Sequence, residues 1–288
     1  MNSFSESFFF QSRDGLRLHG QDYRGDDPAL LPAVCLPGLT RTVRDFHALV
    51  LRLQSDGRRV IAFDLRGRGQ SDRDPTAKSY LPVVEAQDVL DGMTARGIAR
   101  AAFIGTSRGG IVTMVIGGMA PAAVGAAVLN DIGSVIDTAG LRRIGARLGK
   151  ARPPASWRDA ADQLAESLGD EFPAFGTEDW LRQAHLIFAD RDGLPVSDFD
   201  PNVAAGIGEI KADAPPVDLS PAFASLVAAP VLVIRGACSH LLSRETVAAM
   251  GATHPKLESF EVEGQGHAPE LDGPVAERIA DFLARVAG

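Results

Sequence analysis

The stretch that decides the fold reads Ala102-Phe103-Ile104-Gly105-Thr106-Ser107-Arg108-Gly109-Gly110. An apolar strand runs into the pattern Gly-x-Ser-x-Gly, and a helical segment follows at once. A serine in so tight a turn adopts a strained backbone conformation, and only small neighbours two residues to either side avoid a clash. Gly105 and Gly109 occupy those positions. The pattern predicts that Ser107 projects above a sheet end, before a helix N-terminus; the alternative is a glycine-rich turn that merely packs.

Strand-like and helical segments alternate along most of the chain on either side of this turn. Besides residues 101–104, apolar strands are predicted at 33–36, 59–63, 124–129, 230–234 and 257–262. Such near-continuous apolar strands, separated by helical stretches, indicate a parallel sheet covered on both faces. A hairpin is expected to precede this sheet, because strand-like residues 7–10 and 16–23 flank the turn Arg13-Asp14-Gly15.

The alternation stops between Ser134 and about Ser220. This stretch contains charged and aromatic segments, predicted as helices at 141–148, 157–168 and 179–188, with proline-rich joints and no strong strand. Strands and helices alternate again from residue 230 onward. The 288 residues therefore predict one α/β core domain, at 1–133 and 221–288, interrupted by a helical cap at 134–220.

Charge and cysteine content limit the partners of the protein. With 29 Lys+Arg against 37 Asp+Glu, the net charge is −8. This balance disfavours nucleic acid, because binding phosphates requires clustered basic residues. Cys35 and Cys238 are too few for a disulfide framework and lack metal-ligand spacing. We therefore expect a small-molecule substrate, no nucleic-acid partner and no metal, in a monomer or homodimer.

Neither a secretory leader nor a membrane partner is expected. Residues 1–10 lack a basic segment, and their three phenylalanines are too short a run for a signal peptide. The uncharged run from Ile111 to Asn130 has the length of a membrane helix, but Gly117, Gly118 and Pro121 interrupt it. This run is interpreted as a buried helix followed by a buried strand, and the expected location is cytoplasmic.

A serine hydroxyl needs a base to take its proton before it can attack, and His267 is the candidate. It follows the last predicted strand in Gly264-Gln265-Gly266-His267, where the glycines let the loop turn back over the sheet end. It also follows Ser107 in chain order, as this arrangement of nucleophile and base requires. Surface or packing roles are assigned to three other histidines, His19, His47 and His254.

These landmarks, taken in order, resemble the α/β-hydrolase fold family over nearly the whole chain. They are Leu36-Pro37-Gly38-Leu39 after one strand, Asp64–Asp72 after the next, the Ser107 turn and the late Gly-x-Gly-His. The resemblance implies an α/β fold with a mostly parallel eight-stranded sheet flanked by helices, and a helical cap inserted after strand 6. It also implies an oxyanion hole made by the backbone N–H groups of Leu39 and Arg108. The 64–72 loop is interpreted as structural, since it lacks the features of a phosphate-binding loop.

The acidic partner of His267 is where the sequence departs from the family pattern. The family commonly places an aspartate after the seventh strand, in Arg-Gly-x-x-Ser-Asp, but here the corresponding run ends in His240. Some branches place the acid after the sixth strand, and Asp131 lies there, 24 residues beyond Ser107. The resemblance thus implies a triad of Ser107, His267 and Asp131. The alternative is that Asp131 caps the first helix of the cap.

Several residues are candidates for contact with the substrate. His240 is open to three interpretations, as a natural replacement facing the site, a substrate contact or an engineered change. A metal site of His240, His267 and Asp131 fits the residue types but lacks ligand spacing on one element. The other candidates are Arg41, Trp157, Trp180 and His185. Alternatively, Arg41 faces solvent and the cap aromatics form the cap's own core.

A serine nucleophile narrows the chemistry that this family carries out. Haloalkane dehalogenases and epoxide hydrolases of the fold use aspartate there, so both are excluded. Serine permits hydrolysis of a carboxylic ester, lactone or related acyl bond through an acyl-enzyme, with no cofactor. One alternative on the same triad is C–C hydrolysis of a ring-cleavage keto acid. An alternative of another class is a non-catalytic receptor on a hydrolase scaffold.

Overall fold

The computed structural model describes residues 5–150, 152–205, 207–211 and 213–286. Residues 1–4 and 287–288 of the predicted core, and residues 151, 206 and 212 of the predicted cap, lie outside the described residues. The order of strands and helices follows the alternation expected from the sequence, with an interruption after the sixth strand.

An eight-stranded sheet forms the centre of the fold, in the order β1-β2-β4-β3-β5-β6-β11-β12. The first two strands form an antiparallel hairpin, β2 is antiparallel to β4, and the remaining neighbours are parallel. The sheet strands are β1 (Ser5–Gln11), β2 (Arg17–Tyr23), β3 (Ala33–Leu36), β4 (Val60–Asp64), β5 (Ala101–Thr106), β6 (Val124–Asn130), β11 (Val231–Gly236) and β12 (Leu257–Val262).

Helices cover both faces of this sheet. They are α1 (His47–Ser55), α2 (Pro82–Ala95), α3 (Arg108–Met119), α7 (Ser220–Ala224), α8 (Arg244–Thr253) and α9 (Gly273–Val286). Alternate side chains of β11 enter two separate hydrophobic clusters: Val233 packs with the α2 and α3 side, and Ile234 with the α1 and α9 side. Strands buried on both faces are mostly apolar, which is why the central strands have nearly continuous hydrophobic sequences.

The segment between β6 and β11 carries the cap. Its helices are α4 (Thr138–Lys150), α5 (Trp157–Leu168) and α6 (Thr177–Ile187), and its strands are β7 (Val135–Ile136), β8 (Phe188–Arg191), β9 (Leu194–Ser197) and β10 (Val217–Asp218). The fold class is thus confirmed, including a largely helical cap after the sixth sheet strand. The exact division at 133/134 and 220/221 stays a prediction.

The sequence predicts no strong strand in the cap, and the structure has four short ones in its described residues, each of two to four residues. Strands β8 and β9 pair antiparallel through a two-residue turn, Asp192-Gly193, in which both residues have positive φ (54° and 82°). Asp-Gly is a favoured pair for such a turn because both positions require the left-handed region. Strand β7 also pairs with β10, which joins the two ends of the cap segment.

The uncharged run from Ile111 to Asn130 forms most of α3 and the whole of β6, in agreement with the predicted helix and strand. Within the described ranges, no helix is long and apolar enough to cross a membrane.

Candidate active site

Ser107 lies in the tight turn between β5 and α3. Its φ of 50° and ψ of −111° are unfavourable for a residue with a side chain. A Cβ at Gly105 would lie 2.5 Å from backbone atoms of Gly109, and one at Gly109 would lie 2.0 Å from the Leu36 carbonyl oxygen. Both glycines are therefore sterically required, and the turn holds the half-buried Ser107 hydroxyl at the carboxyl end of the sheet.

The side chain of His267 lies within hydrogen-bond distance of both Ser107 and Asp131, the other two residues of the expected triad. Ser107 Oγ lies 2.9 Å from His267 Nε2, and His267 Nδ1 lies 2.7 Å from Asp131 Oδ2. This is the nucleophile–base–orienter arrangement in which a serine hydroxyl becomes reactive. The imidazole side chain is only 13% exposed and the carboxylate is fully buried.

Asp131 is fixed by the carboxyl end of β11. Its N–H donates to the Ile234 carbonyl at 2.7 Å, and its Oδ1 accepts from the Gly236 N–H at 2.8 Å. Its Oδ2 accepts from the Ser239 hydroxyl at 2.5 Å as well as facing His267. The helix-capping alternative does not describe this geometry, because the aspartate next to the start of α4 is Asp137.

His240 does not take part in this chain of hydrogen bonds. Its side chain is exposed, and it lines a polar surface cavity of about 470 Å³ together with Arg143 and Arg244. It is Ser239, the preceding residue, that reaches Asp131. Among the residues that the structure describes, no group of three or more His, Cys, Asp and Glu side chains is arranged to hold a metal ion.

The two backbone N–H groups expected to bind an oxyanion belong to Arg108, which directly follows Ser107, and to Leu39, which follows β3. Neither the Leu39 nor the Arg108 N–H donates to an acceptor in the described part of the chain. Arg108 is the first residue of α3, where unpaired N–H groups and the helix dipole favour negative charge. Leu39 follows β3, whose end packs closely on the start of α3 at Gly109.

Glu171, a residue of the cap, was not predicted from the sequence yet contacts the histidine loop. Its side chain is 3% exposed, its Oε2 accepts the His267 backbone N–H at 3.0 Å, and its Oε1 accepts from Arg147 at 2.6 Å. A Cβ at Gly266 would lie 2.4 Å from the Glu171 Cβ. No local motif marks such a residue, because its partner is 96 positions away in the chain.

The other candidates for substrate contact have structural partners. Arg41 forms an ion pair with Asp45 at 2.8 Å and reaches Gln183 of the cap at 3.4 Å. Trp180 is buried in the cap's hydrophobic cluster. Trp157 stacks on the exposed ring of His185, with ring centroids 3.9 Å apart. These positions fit the alternative in which the cap aromatics pack against one another.

The 64–72 loop has the structural role expected for it. Asp64 accepts from the Val43 N–H at 2.9 Å and lies 2.7 Å from the buried ring of His19. Arg66 forms a two-point ion pair with Asp88 at 2.7 and 2.8 Å. His19 is therefore a packing residue, fully buried between the hairpin and this loop.

Comparison with known proteins agrees with this architecture. A model of the alpha/beta hydrolase family matches residues 33–281. A 3-hydroxybutyrate-oligomer hydrolase from Cupriavidus necator is 32% identical over 282 residues, which cover 94% of this chain and 95% of that protein.

Two solved structures extend the comparison. The crystal structure of an alpha/beta hydrolase from Novosphingobium aromaticivorans superposes with a TM-score of 0.90 at 40% identity, over 99% of this chain and 100% of that one. The structure of E-2-(acetamidomethylene)succinate hydrolase has a TM-score of 0.78 at 23% identity, over 97% and 100% of the two chains. The latter likeness is one of fold alone.

Proposed function

The chain belongs to the alpha/beta hydrolase family, and from this membership we propose that it hydrolyses carboxylic esters of small molecules through an acyl-enzyme on Ser107. The observation that carries the proposal is the continuous chain of short contacts from Ser107 through His267 to the buried Asp131. A receptor that had lost catalysis would have no need to keep the serine strained and the base within reach of it.

In the acylation half-reaction, His267 Nε2 takes the proton of the Ser107 hydroxyl while Oγ attacks the ester carbonyl carbon. The carbonyl oxygen becomes an oxyanion, which accepts hydrogen bonds from the Leu39 and Arg108 N–H groups. Asp131 stabilises the imidazolium and keeps its Nδ1 proton directed toward the carboxylate. The carbon–oxygen bond to the alcohol then breaks, and His267 returns the proton to the leaving alkoxide.

In the deacylation half-reaction, the same groups act on water. His267 takes a proton from a water molecule, whose oxygen attacks the acyl carbon and forms a second oxyanion in the same hole. The bond from the acyl carbon to Ser107 Oγ breaks, the serine regains its proton from His267, and the acid leaves. The chain uses only its own side chains and backbone in both halves.

The proposed substrate class is an ester of a short hydroxy acid. Support comes from the relative in Cupriavidus necator, whose name specifies an oligomer of 3-hydroxybutyrate. Such an oligomer is a chain of ester bonds between hydroxyl and carboxyl groups, which this mechanism can cleave. We propose that the cap comprises residues 134–220 and covers the site, since ligands of open α/β folds bind at the carboxyl ends of the strands.

The test is labelling with a fluorophosphonate, followed by assays of nitrophenyl esters, 3-hydroxybutyrate oligomers, lactones and ring-cleavage keto acids. Wild type is expected to be labelled and to cleave the esters, whereas Ser107→Ala is expected to lose labelling and at least about 10⁴-fold in kcat. Ser225→Ala is the control and should be labelled normally, because the Ser225 hydroxyl donates to the Met114 carbonyl of α3 and has no hydrogen bond to the triad. Absence of labelling and ester cleavage in wild type would favour the receptor, and cleavage of keto acids alone would favour C–C hydrolysis.

A further inference from the structure

A buried carboxylate on α2 connects two arginines beneath the serine turn. Glu85 is completely buried, with Oε1 2.7 Å from Arg68 Nη1 and Oε2 2.6 Å from Arg108 Nε. Arg68 is also fully buried, and Arg108 is only 15% exposed. Arg108 additionally donates to the Tyr80 carbonyl at 2.9 Å. None of these side chains takes part in the chemistry described above.

Both ends of this network reach the residues of the proposed oxyanion hole. Arg68 Nε donates to the carbonyl oxygen of Leu39 at 2.7 Å, and so restrains the peptide group that follows the Leu39 N–H. At the other end, Glu85 holds the side chain of Arg108, whose own backbone N–H is the second donor. One carboxylate thus connects two loops that are distant in sequence, after β3 and after β5.

The network is ionic rather than neutral. Burial alone would raise the pKa of Glu85, but the charges of Arg68 and Arg108 hold it below its ordinary value. The three side chains then carry one negative and two positive charges. Hydrogen bonds between charged groups are stronger than neutral ones, so the Glu85 carboxylate holds both arginine side chains firmly in place.

We propose that Glu85 is a positioning residue of the oxyanion hole, fixing the Leu39 loop through Arg68 and the start of α3 through the Arg108 side chain. The inference rests on the proposed function, since it assigns the two N–H groups to an oxyanion. The role of Glu85 is to keep the two backbone N–H groups correctly directed, because they stabilise the tetrahedral state only when they point at its negative oxygen. Removing the network leaves both N–H groups present but less well placed.

The experiment compares Glu85→Gln, Arg108→Ala and Arg108→Lys with wild type, using a nitrophenyl ester as substrate and phenylboronic acid as the tetrahedral probe. Loss of a whole donor costs 10²- to 10³-fold in kcat, so misplaced donors should cost about tenfold. We expect Glu85→Gln and Arg108→Ala to lower kcat by about that factor and to weaken phenylboronic acid in parallel, with KM within about twofold. Arg108→Lys should recover part of the loss, because it keeps a cation beside Glu85.

Asp88→Asn is the matched control. It also removes a buried carboxylate of α2 from a buried arginine, Arg66, but has no hydrogen bond to Leu39 or Arg108. It should lower the unfolding temperature as Glu85→Gln does and leave kcat unchanged. Equal losses in kcat for Asp88→Asn and Glu85→Gln would overturn the inference. A kcat within about twofold of wild type in Arg108→Ala would overturn it as well. Because Arg108→Ala keeps the buried Arg68–Glu85 pair, it decides the question if Glu85→Gln does not fold. Failure of the proposed function would be distinguishable from these outcomes, because the wild-type protein would then not be labelled by the fluorophosphonate.

Discussion

Asp131 uses nearly all of its hydrogen-bonding capacity to orient one imidazole. It lies in the left-handed region (φ 53°), which aspartate tolerates better than most residues. Its carboxylate faces the Gly236 N–H, the Ser239 hydroxyl and His267 Nδ1. A carboxylate with three fixed partners cannot rotate, so the imidazole that it contacts is held in one orientation and one tautomer.

Asp131→Asn therefore tests the triad at the residue scale. An amide nitrogen facing His267 Nδ1 would favour the wrong tautomer, and we expect kcat for ester hydrolysis to fall by about 10³- to 10⁴-fold. Stopped-flow measurement of nitrophenol release would show the loss in acylation. Ser239→Ala is the comparison, since it removes one partner of Asp131 and keeps the charge; its kcat should fall by no more than about tenfold. A loss of only a few-fold in Asp131→Asn would mean that Asp131 is not the acid.

The role of a single residue can be predicted from the sequence when it depends on residues nearby in the chain or on an adjoining strand. Gly105 and Gly109 are required by atoms within a few residues or on the adjoining strand, so their pattern marks the turn. Asp131 carries no local signal, and the resemblance to family branches that place the acid after the sixth strand is what points to it. Glu171 and Glu85 could not be found in this way, because their roles depend on partners brought together only by the fold.

The loop that carries His267 is held by the cap at two points. Glu171, which follows α5, accepts the His267 N–H, and Arg182 of α6 forms an ion pair with Glu270 at 2.7 Å. The Glu171 side chain in the first contact is buried, whereas Arg182 in the second is exposed. Since a hydrogen bond to a buried carboxylate contributes more than an exposed ion pair, we expect the cap to act on the histidine loop mainly through Glu171.

Glu171→Ala should then lower catalysis even though the residue lies in the cap. It leaves the His267 N–H and the partly buried Arg147 without their carboxylate, and we expect kcat to fall about 10- to 100-fold. Glu171→Gln retains an acceptor for the N–H and should lose less. Asp170→Ala is the adjacent control, because its ion pair with Arg143 is exposed on both sides and should contribute little. If the Asp170 and Glu171 variants show the same kcat, the cap does not position the histidine loop.

At the scale of elements, prediction succeeds where burial imposes a pattern. The five central strands, β3, β4, β5, β6 and β11, are predictable because both of their faces are covered, which leaves mostly apolar residues. Strands β8 and β9 were missed because they are short and half exposed, with Pro195 inside the second. The Asp192-Gly193 turn was the available signal, and it has the same Asp-Gly pair that indicated the hairpin of β1 and β2.

At the scale of the whole molecule, the cap also contacts a part of the core that is distant in sequence from the histidine loop. Residues 198–200 pair with the 64–72 loop: Gly69 donates to the Asp198 carbonyl at 2.8 Å, and Asp200 donates to the Gly67 carbonyl at 2.7 Å. Arg44 adds an ion pair with Asp198 at 2.7 Å. These contacts run between segments more than a hundred residues apart, and no pattern in the sequence predicts them.

Tyr80 completes this junction and makes its stability depend on pH. Its hydroxyl donates to Asp200 at 2.6 Å and accepts from the Asp74 N–H at 2.9 Å. Burial, with the hydrogen bond to Asp200, raises the pKa of Tyr80 to about 12. Burial likewise raises the pKa of Tyr23 to about 12, and the chain has only these 2 tyrosines.

Alkaline unfolding should therefore report on both phenols. Between the ordinary pKa of 10.0 and about 12, the unfolded chain releases phenol protons that the folded chain keeps, so the free energy of unfolding falls as pH rises through this window. The contribution of Tyr80 is present below this window and amounts to at most about 3 kcal/mol. Tyrosinate absorbance should rise in the folded protein only near pH 12. In urea titrations, Tyr80→Phe should be less stable than wild type at about pH 9 and should lose less stability between about pH 9 and about pH 11. A folded protein whose tyrosines titrate near their ordinary pKa would show instead that the junction of cap and core is open to solvent at Tyr80.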